Sequence, residues 1–327
     1  MKTALGDIEI VSRLGADERT LAFDALDGLT RPFKEIPPKH FYDTEGSRLF
    51  EQIMGLPEYY PTRAERSILS ANAEQLVEAT GAAELVELGS GVPTKTLLLL
   101  DAMRDAETLD RYVPFDVSEV VLCESAKLLV ERYPGIRVYG VVGDFERHLD
   151  ALPEAEGPRV IVFLGGTIGN LDRNQRARFF FDVDAMLDHD EWFVLGADLV
   201  KDRERLVDAY DDAAGVTAEF NRNALRVMNR ELGADFDPAA YDHVAHWNDA
   251  EAWIEMRLVA RTPQRVRVEA LDVTVELAAG EWLRTEISAK FTADGLREEL
   301  WQAGLVVEHQ WTDDAGDFLL TLARPYC

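Results

Sequence analysis

Leu85-Val-Glu-Leu-Gly-Ser-Gly-Val-Pro-Thr-Lys95 is the stretch on which the fold turns. An apolar run carrying one acid, Glu87, breaks directly into Gly89-Ser90-Gly91. This is the pattern of a parallel strand ending in a turn where backbone must lie close to a ligand. Gly89 and Gly91 suit such a turn because, without a Cβ, they take positive φ readily. Ligands of open α/β sheets sit beyond the carboxyl ends of the strands. A tight strand-to-helix turn with no ligand would use the same glycines, so the meaning of this one depends on the strand ends that follow it.

Outward from this stretch the rhythm is strand, helix, strand. Strands are predicted at Leu85–Leu88, Arg111–Val117, Arg137–Val142, Val160–Leu164 and Trp192–Ala197. Helices are predicted at Thr94–Arg104, Glu119–Tyr133, Phe145–Ala151 and Arg173–Leu187, with Glu18–Leu29 and Thr62–Thr80 upstream. Short apolar strands alternating with helices predict a parallel sheet covered on both faces. After Lys201 the rhythm changes. Asp202–Leu232 reads as largely helical and continues into Pro238–Asp242, before antiparallel strands at Ala252–Thr262, Arg265–Leu271 and Val273–Leu277. Glu281–Phe291, a helix Thr292–Ala303, Leu305–Trp311 and a strand Phe318–Leu322 close the chain. The expectation is an α/β fold with a Rossmann-like, mostly parallel sheet over 62–200 and 287–327. A second α+β lobe is expected from 1–61 and 201–286.

Composition narrows the function. With 34 basic against 61 acidic residues the formal net charge is −27, which repels phosphate backbones, so nucleic acid is not an expected partner. Cys123 and Cys327 form neither a disulfide framework nor a zinc spacing, and no run is long and apolar enough to span a bilayer. A cytoplasmic monomer with no metal and no membrane association is expected.

Three further strand ends fit a nucleoside-bearing ligand. Asp116, in Phe115-Asp116-Val117, falls near the offset at which a carboxylate meets ribose hydroxyls. Gly143-Asp144-Phe145 supplies an acceptor for an adenine amino group and a ring to stack on the base, and Leu164-Gly-Gly-Thr-Ile-Gly-Asn170 ends the fourth strand. Each has a structural reading too: Asp116, Asp144 and Asn170 as helix caps, Phe145 as core. A dinucleotide fingerprint would place glycine where Thr94 stands, and there is no phosphate loop, so a nicotinamide-dependent oxidoreductase is the weaker reading. The pattern is similar to class I S-adenosylmethionine-dependent methyltransferases, whose cofactor carries no phosphate.

Residues outside the sheet sharpen the likeness. Lys39-His-Phe-Tyr-Asp43, Leu56-Pro-Glu-Tyr-Tyr-Pro-Thr-Arg63, Phe163–Asn170, Asp198-Leu-Val-Lys-Asp202 and Tyr210–Asn223 closely resemble the histidine-specific methyltransferase family, and the resemblance runs from about Lys39 to Arg324. It implies three successive methyl transfers to the α-amino nitrogen of L-histidine, through its mono- and dimethylated forms, giving hercynine as in ergothioneine biosynthesis. S-Adenosyl-L-homocysteine would be the product of the cofactor. By the same resemblance Gly89, Lys95, Asp116, Asp144 and Phe145 bind the cofactor, and Glu87 and Gly91 of the opening strand and turn are expected to join them. Tyr59, Asn170 and Tyr210 contact the amino acid's carboxylate and amino group, with Tyr42 and the Gly165 backbone nearby. Glu286 and Ser288 recognise the imidazole, and Met256 lines its pocket. Gly166 and Ala289 depart from the more usual Ser and Cys, and Val92-Pro93 is less polar than the family pattern. The alternatives at this point are a related enzyme acting on another small amine, and an acidic interaction protein without activity.

In-line displacement at a sulfonium methyl needs an amine with a free lone pair. A positive sulfur about 4 Å away opposes protonation by roughly 4 kcal/mol at an effective dielectric near 20, or about 3 pKa units. No dedicated strong base is expected. The resemblance implies catalytic roles for Tyr42, helping the amine's proton reach water, and for Asn170, contacting the amino acid.

Overall fold

The computed structural model describes residues 2–5, 7–13 and 20–326 of the 327-residue chain. Glu18 and Arg19 of the first predicted helix, and Cys327, lie outside the described residues. In chain order the elements are β1 (Lys2–Leu5), β2 (Ile8–Ser12), α1 (Leu21–Thr30), β3 (Lys34–Glu35), α2 (Thr44–Met54), α3 (Pro61–Thr80), β4 (Glu84–Leu88), α4 (Thr96–Asp105) and β5 (Arg111–Asp116). They continue with α5 (Glu119–Arg132), β6 (Arg137–Val142), β7 (Arg159–Phe163), α6 (Arg173–Met186), β8 (Trp192–Asp198), α7 (Arg203–Asp208) and α8 (Val216–Leu232). Last come β9 (Tyr241–Asn248), β10 (Trp253–Ala260), β11 (Gln264–Val268), β12 (Val273–Leu277), β13 (Trp282–Ala289), α9 (Ala293–Gln302), β14 (Leu305–Thr312) and β15 (Phe318–Pro325).

The chain divides into two compact units, one of 1–16, 63–199 and 291–327, the other of 17–62 and 200–290. Among the described residues the first unit holds a nine-stranded sheet ordered β1-β2-β6-β5-β4-β7-β8-β15-β14. Strands β2, β6, β5, β4, β7 and β8 run parallel, and β15 and β14 are antiparallel. The chain leaves β4 toward β5 and β6 on one side, then returns to β7 and β8 on the other. The crevice for a ligand therefore opens at the carboxyl ends of β4 and β7. Ile68, Leu69, Leu76 and Val77 of α3 pack with Leu99, Leu100 and Met103 of α4 and Leu122 and Leu129 of α5 on one face. Phe179 of α6 stacks on Phe163 and Phe193 on the other. The expected α/β fold with both faces covered is what the structure shows. Ile8–Ser12, expected in the lobe, pairs instead with β6.

The second unit has its own core and a four-stranded sheet, β3-β13-β10-β9, beside the β11-β12 hairpin. Here two expectations are corrected. The helix predicted over Asp202–Leu232 is two helices broken at Ala209–Gly215, where Gly215 takes φ 74° and Asp212 accepts from the Val216 and Thr217 N–H groups. Pro238–Asp242 does not stay helical: a 3₁₀ turn ends at Ala240 and β9 begins. Tyr241, His243, Ala245 and Trp247 point inward in strict alternation, a period-2 signal that overrides the helical context. In the first unit Phe145–Ala151 is not a helix and retains only a 3₁₀ turn at Leu149–Ala151.

Asp43 starts α2, its Oδ1 accepting from the Gly46 N–H at 2.8 Å and from the Asn223 amide at 2.8 Å. Burial alone would raise the Asp43 carboxyl, but the bonds from Gly46, Asn223 and Arg230 outweigh it and hold it below the usual range. Asp43→Ala is expected to cost about 1–2 kcal/mol near neutral pH, the worth of a good cap. A depressed carboxyl stabilises above its unfolded pKa and loses that contribution as pH falls through its folded value. Thermal melts should therefore show the gap between variant and wild type closing in strong acid.

Candidate functional site

The expected residues of the first unit gather at the carboxyl ends of four adjacent parallel strands. Gly89 and Gly91, after β4, take φ of 66° and 46°, and a Cβ added to Gly91 would meet nothing within 4 Å. The turn is fastened from the neighbouring strand: Gly89 and Ser90 N–H donate to the Phe115 carbonyl, and Gly91 N–H donates to Asp116 Oδ2 at 2.9 Å. Asp116 Oδ1 accepts from Ser118 N–H, and burial raises the Asp116 carboxyl against those two bonds. Asp116 is thus no helix cap; Ser118 caps α5. Asp144 is buried at the end of β6, and the Phe145 ring is half-buried, 5.0 Å from Phe163 and 4.0 Å from where a Gly89 Cβ would lie.

Glu87 stands apart from this rim. Both its oxygens are taken in the core, by Thr96 Oγ1 and Tyr112 OH at 2.5 Å each, and burial pushes its carboxyl up to about 7. It braces the strand, and the structure does not turn it toward the loop edge.

Lys95, immediately before α4, leads to a residue that sequence reasoning missed. Its Nζ donates to the carboxylate of Glu65 on α3, and Glu65 also accepts from the Gly165 N–H at 2.8 and 3.0 Å. Glu65 is fully buried. Its seat exists because residue 196 on β8 is glycine: a Cβ there would stand 2.1 Å from Glu65 Oε1. One carboxylate therefore ties the loop after β4 to the Gly165-Gly166 turn after β7, whose φ values are 82° and 68°. Asn170 ends that turn, half-buried, and its amide has no hydrogen bond among the described residues. The capping role belongs to Asp172, which forms a capping box with Gln175.

In the second unit the aromatic residues form a chain. Tyr42 stacks edge-on against Phe50 at 5.5 Å, Phe50 against Tyr59 at 6.2 Å, and Tyr59 against Tyr210 at 6.2 Å. Tyr210 OH lies 2.8 Å from Ser288 Oγ, and the Lys290 ammonium donates to both oxygens, at 2.9 and 2.8 Å. The Tyr210 carbonyl accepts from His243 Nε2 at 2.7 Å, which leaves Nδ1 to accept from the Asn221 amide. Burial lowers the His243 pKa, so this strut is neutral.

Glu286 is aimed by a β-bulge. Met256 pairs with Glu286 but Arg257 pairs with Arg284, so Thr285 is the extra residue, and its hydroxyl donates to the Met256 carbonyl at 3.0 Å. Such a bulge changes which face a side chain takes. Glu286 shares its face with Met256, while Arg284 goes with Arg257 and Glu255. The Glu286 carboxyl has no hydrogen bond among the described residues, and burial lifts it to about 7, with Lys290 pulling it down. The structure thus brings Tyr42, Tyr59, Tyr210 and Ser288 into one contact chain and sets Met256 beside Glu286. Lys290 was missed, although the alternation Glu286, Ser288, Lys290 among Ile287 and Ala289 signals it; Glu65 carries no such signal.

The fold is that of an α/β enzyme with a nucleoside-type crevice. The profile of the SAM-dependent histidine-specific methyltransferases matches residues 21–325, and the chain belongs to that family. It is similar to a histidine N-alpha-methyltransferase of Mycolicibacterium smegmatis, 53% identical over 97% of this chain and 99% of that one. It is also similar to the same-named protein of Mycobacterium tuberculosis, 51% identical with the same coverage. Ergothioneine biosynthesis protein 1 of Neurospora crassa is 28% identical over 99% of this chain, which spans 37% of that protein.

Two outcomes follow from the geometry. Gly196→Ala should displace Glu65 and cost about 1–3 kcal/mol by overpacking, read as a lower Tm. For Glu286, a folded pKa raised above the unfolded one gives stability that is complete below about 4.3 and lost as pH rises through about 7. Glu286→Gln should therefore melt with wild type at pH 4 and above it at pH 8.

Proposed function

We propose that the protein transfers the methyl group of S-adenosylmethionine three times in succession to the α-amino nitrogen of L-histidine, giving hercynine as in ergothioneine biosynthesis. The observation that carries this reading is the half-buried Glu286 carboxyl, raised to about 7 by desolvation and without a hydrogen bond among the described residues. Strongly perturbed titratable groups cluster at functional sites. An imidazole N–H is a donor of the right kind, worth about 1.5–3 kcal/mol against a carboxylate.

The residues at the strand ends fit an adenosyl group. Open space lies over Gly91, Asp116 can accept from ribose hydroxyls, and Asp144 with Phe145 suits an adenine edge and face. S-Adenosylmethionine supplies the electrophilic methyl group and leaves as S-adenosylhomocysteine. We assign cofactor binding to the first unit, with Lys95 meeting the cofactor's own carboxylate and Glu87 bracing the turn from beneath. Histidine recognition is assigned to Tyr59, Tyr210, Met256, Glu286 and Ser288 of the second unit. Gly165 and Asn170 would hold the amino-acid backbone, the unbonded Asn170 amide being free for that purpose. Tyr42, 38% exposed, is close enough to solvent to pass the amine's proton to water, consistent with no strong base. The reading takes the protein to be a monomer working in the cytoplasm on a small molecule, without a metal.

Mass spectrometry of histidine incubated with S-adenosylmethionine should show additions of one, two and three methyl groups. Glu286→Ala should lower kcat/KM for histidine about ten- to a hundredfold and narrow its lead over tryptophan and phenylalanine. No methyl addition to histidine, or unchanged selectivity in the variant, would count against the assignment.

A further inference from the structure

Tyr210 belongs to the break between α7 and α8 rather than to either helix. Its N–H reaches back to the Val207 carbonyl, and its own carbonyl is tied to β9. The tie is His243, whose side chain is 1% exposed and whose Nε2 lies 2.7 Å from the Tyr210 oxygen. Nδ1 lies 2.8 Å from the side-chain nitrogen of Asn221 on α8, and that nitrogen also donates to the Arg257 carbonyl of β10 at 3.3 Å. Asp211 Oδ1, 3.8 Å from Nε2, is beyond hydrogen-bond reach.

A carbonyl can only accept and a primary amide nitrogen can only donate. The ring therefore carries its hydrogen on Nε2 and keeps Nδ1 bare. The Arg257 carbonyl fixes the amide the same way round, because a flipped Asn221 would set two oxygens against each other. That orientation leaves Asn221 Oδ1 buried with no hydrogen bond among the described residues. A buried acceptor without a partner is uncommon and calls for an explanation. Here one unpaired oxygen accompanies a ring locked in one tautomer, aimed at the main chain of Tyr210.

We propose that His243 is a positioning residue for the amino-acid substrate: it mounts the Tyr210 main chain on β9, so that the sheet, rather than the loop, places the tyrosine ring. The inference rests on the reading of Tyr210 as part of the histidine site. Groups mounted on strands and helices are held more closely than groups on loops. The Tyr210 ring lies 6.2 Å from the Tyr59 ring, and its hydroxyl 2.8 Å from Ser288 Oγ. A shift of the Tyr210 main chain would therefore disturb two assigned substrate contacts besides its own. His243 touches no substrate in this role; it acts through Tyr210.

The test uses two variants that each keep one of the two ring bonds. In His243→Gln the amide reaches the place of Nε2 and still donates to the Tyr210 carbonyl. In His243→Asn the shorter amide reaches only the place of Nδ1, beside Asn221. His243→Asn should raise KM for histidine about tenfold and leave KM for S-adenosylmethionine and calorimetric affinity for S-adenosylhomocysteine unchanged. His243→Gln should keep the wild-type KM for histidine, even where its Tm falls as far as that of His243→Asn. Equal KM values for histidine in the two variants, or a rise in both KM values in His243→Asn, overturns the inference. Should His243→Asn not fold, His243→Leu, which fills the space without a hydrogen bond, takes its place with the same expectation. Wild-type enzyme that fails to methylate histidine would defeat the substrate assignment itself, a result distinct from normal wild-type turnover with both variants unmoved.

Discussion

Desolvating the half-buried Glu286 carboxylate, which has no hydrogen bond among the described residues, costs free energy, and its neighbours in the second unit offset part of that cost. Burial favours the neutral acid, Lys290 favours the anion, and the balance leaves the group titrating at about 7. An isolated buried carboxylate would simply stay protonated. A nearby ammonium, itself fixed by two hydroxyls, makes the anion available when a donor arrives. The bulge at Thr285 makes the arrangement possible by turning Glu286 away from Arg284 and Arg257, either of which would have saturated it.

The first unit handles buried charge in the opposite way. Glu65 is saturated, with Lys95 on one side and the Gly165 N–H on the other, and its position depends on the missing Cβ of Gly196. Asp116 is likewise committed to the Gly91 and Ser118 amides. These carboxylates fix loop geometry before any ligand binds, which suits a reaction whose acceleration rests chiefly on alignment. Holding two reactants in line can supply on the order of 7–11 kcal/mol.

Much of this was legible from residues alone. The turn at Gly89-Ser90-Gly91 and the three strand ends after it follow from short-range rules: apolar runs, glycine at positive φ, and ligand placement at carboxyl ends. The parallel core therefore appears where the periodicity predicts it, and α3 buries Ile68, Leu69, Leu76 and Val77 against it. The family resemblance, rather than spacing, singled out Tyr59, Tyr210, Glu286 and Ser288, since nothing in a local window tells a strand acid in a site from one on an exposed face. Two features escaped because they are long-range, and a third despite a local signal. Glu65 lies on a helix with no local mark, and its partners are brought to it by the sheet. The Thr285 bulge is a property of pairing between two strands. Tyr241–Asn248 alternates cleanly, but the helix before it drew the reading past its first residues. Glu87 shows the converse: its motif position suggested the ligand, whereas Tyr112 on the adjacent strand draws it into the core.

The central claim is that an imidazole N–H satisfies the Glu286 carboxylate. A crystal structure of the ternary complex with S-adenosylhomocysteine and L-histidine tests it most directly. The account predicts a ring nitrogen at hydrogen-bond distance, about 2.7–3.2 Å, from a Glu286 oxygen. A ring turned away from that carboxylate, with Glu286 still unbonded or paired to a protein donor, would contradict it.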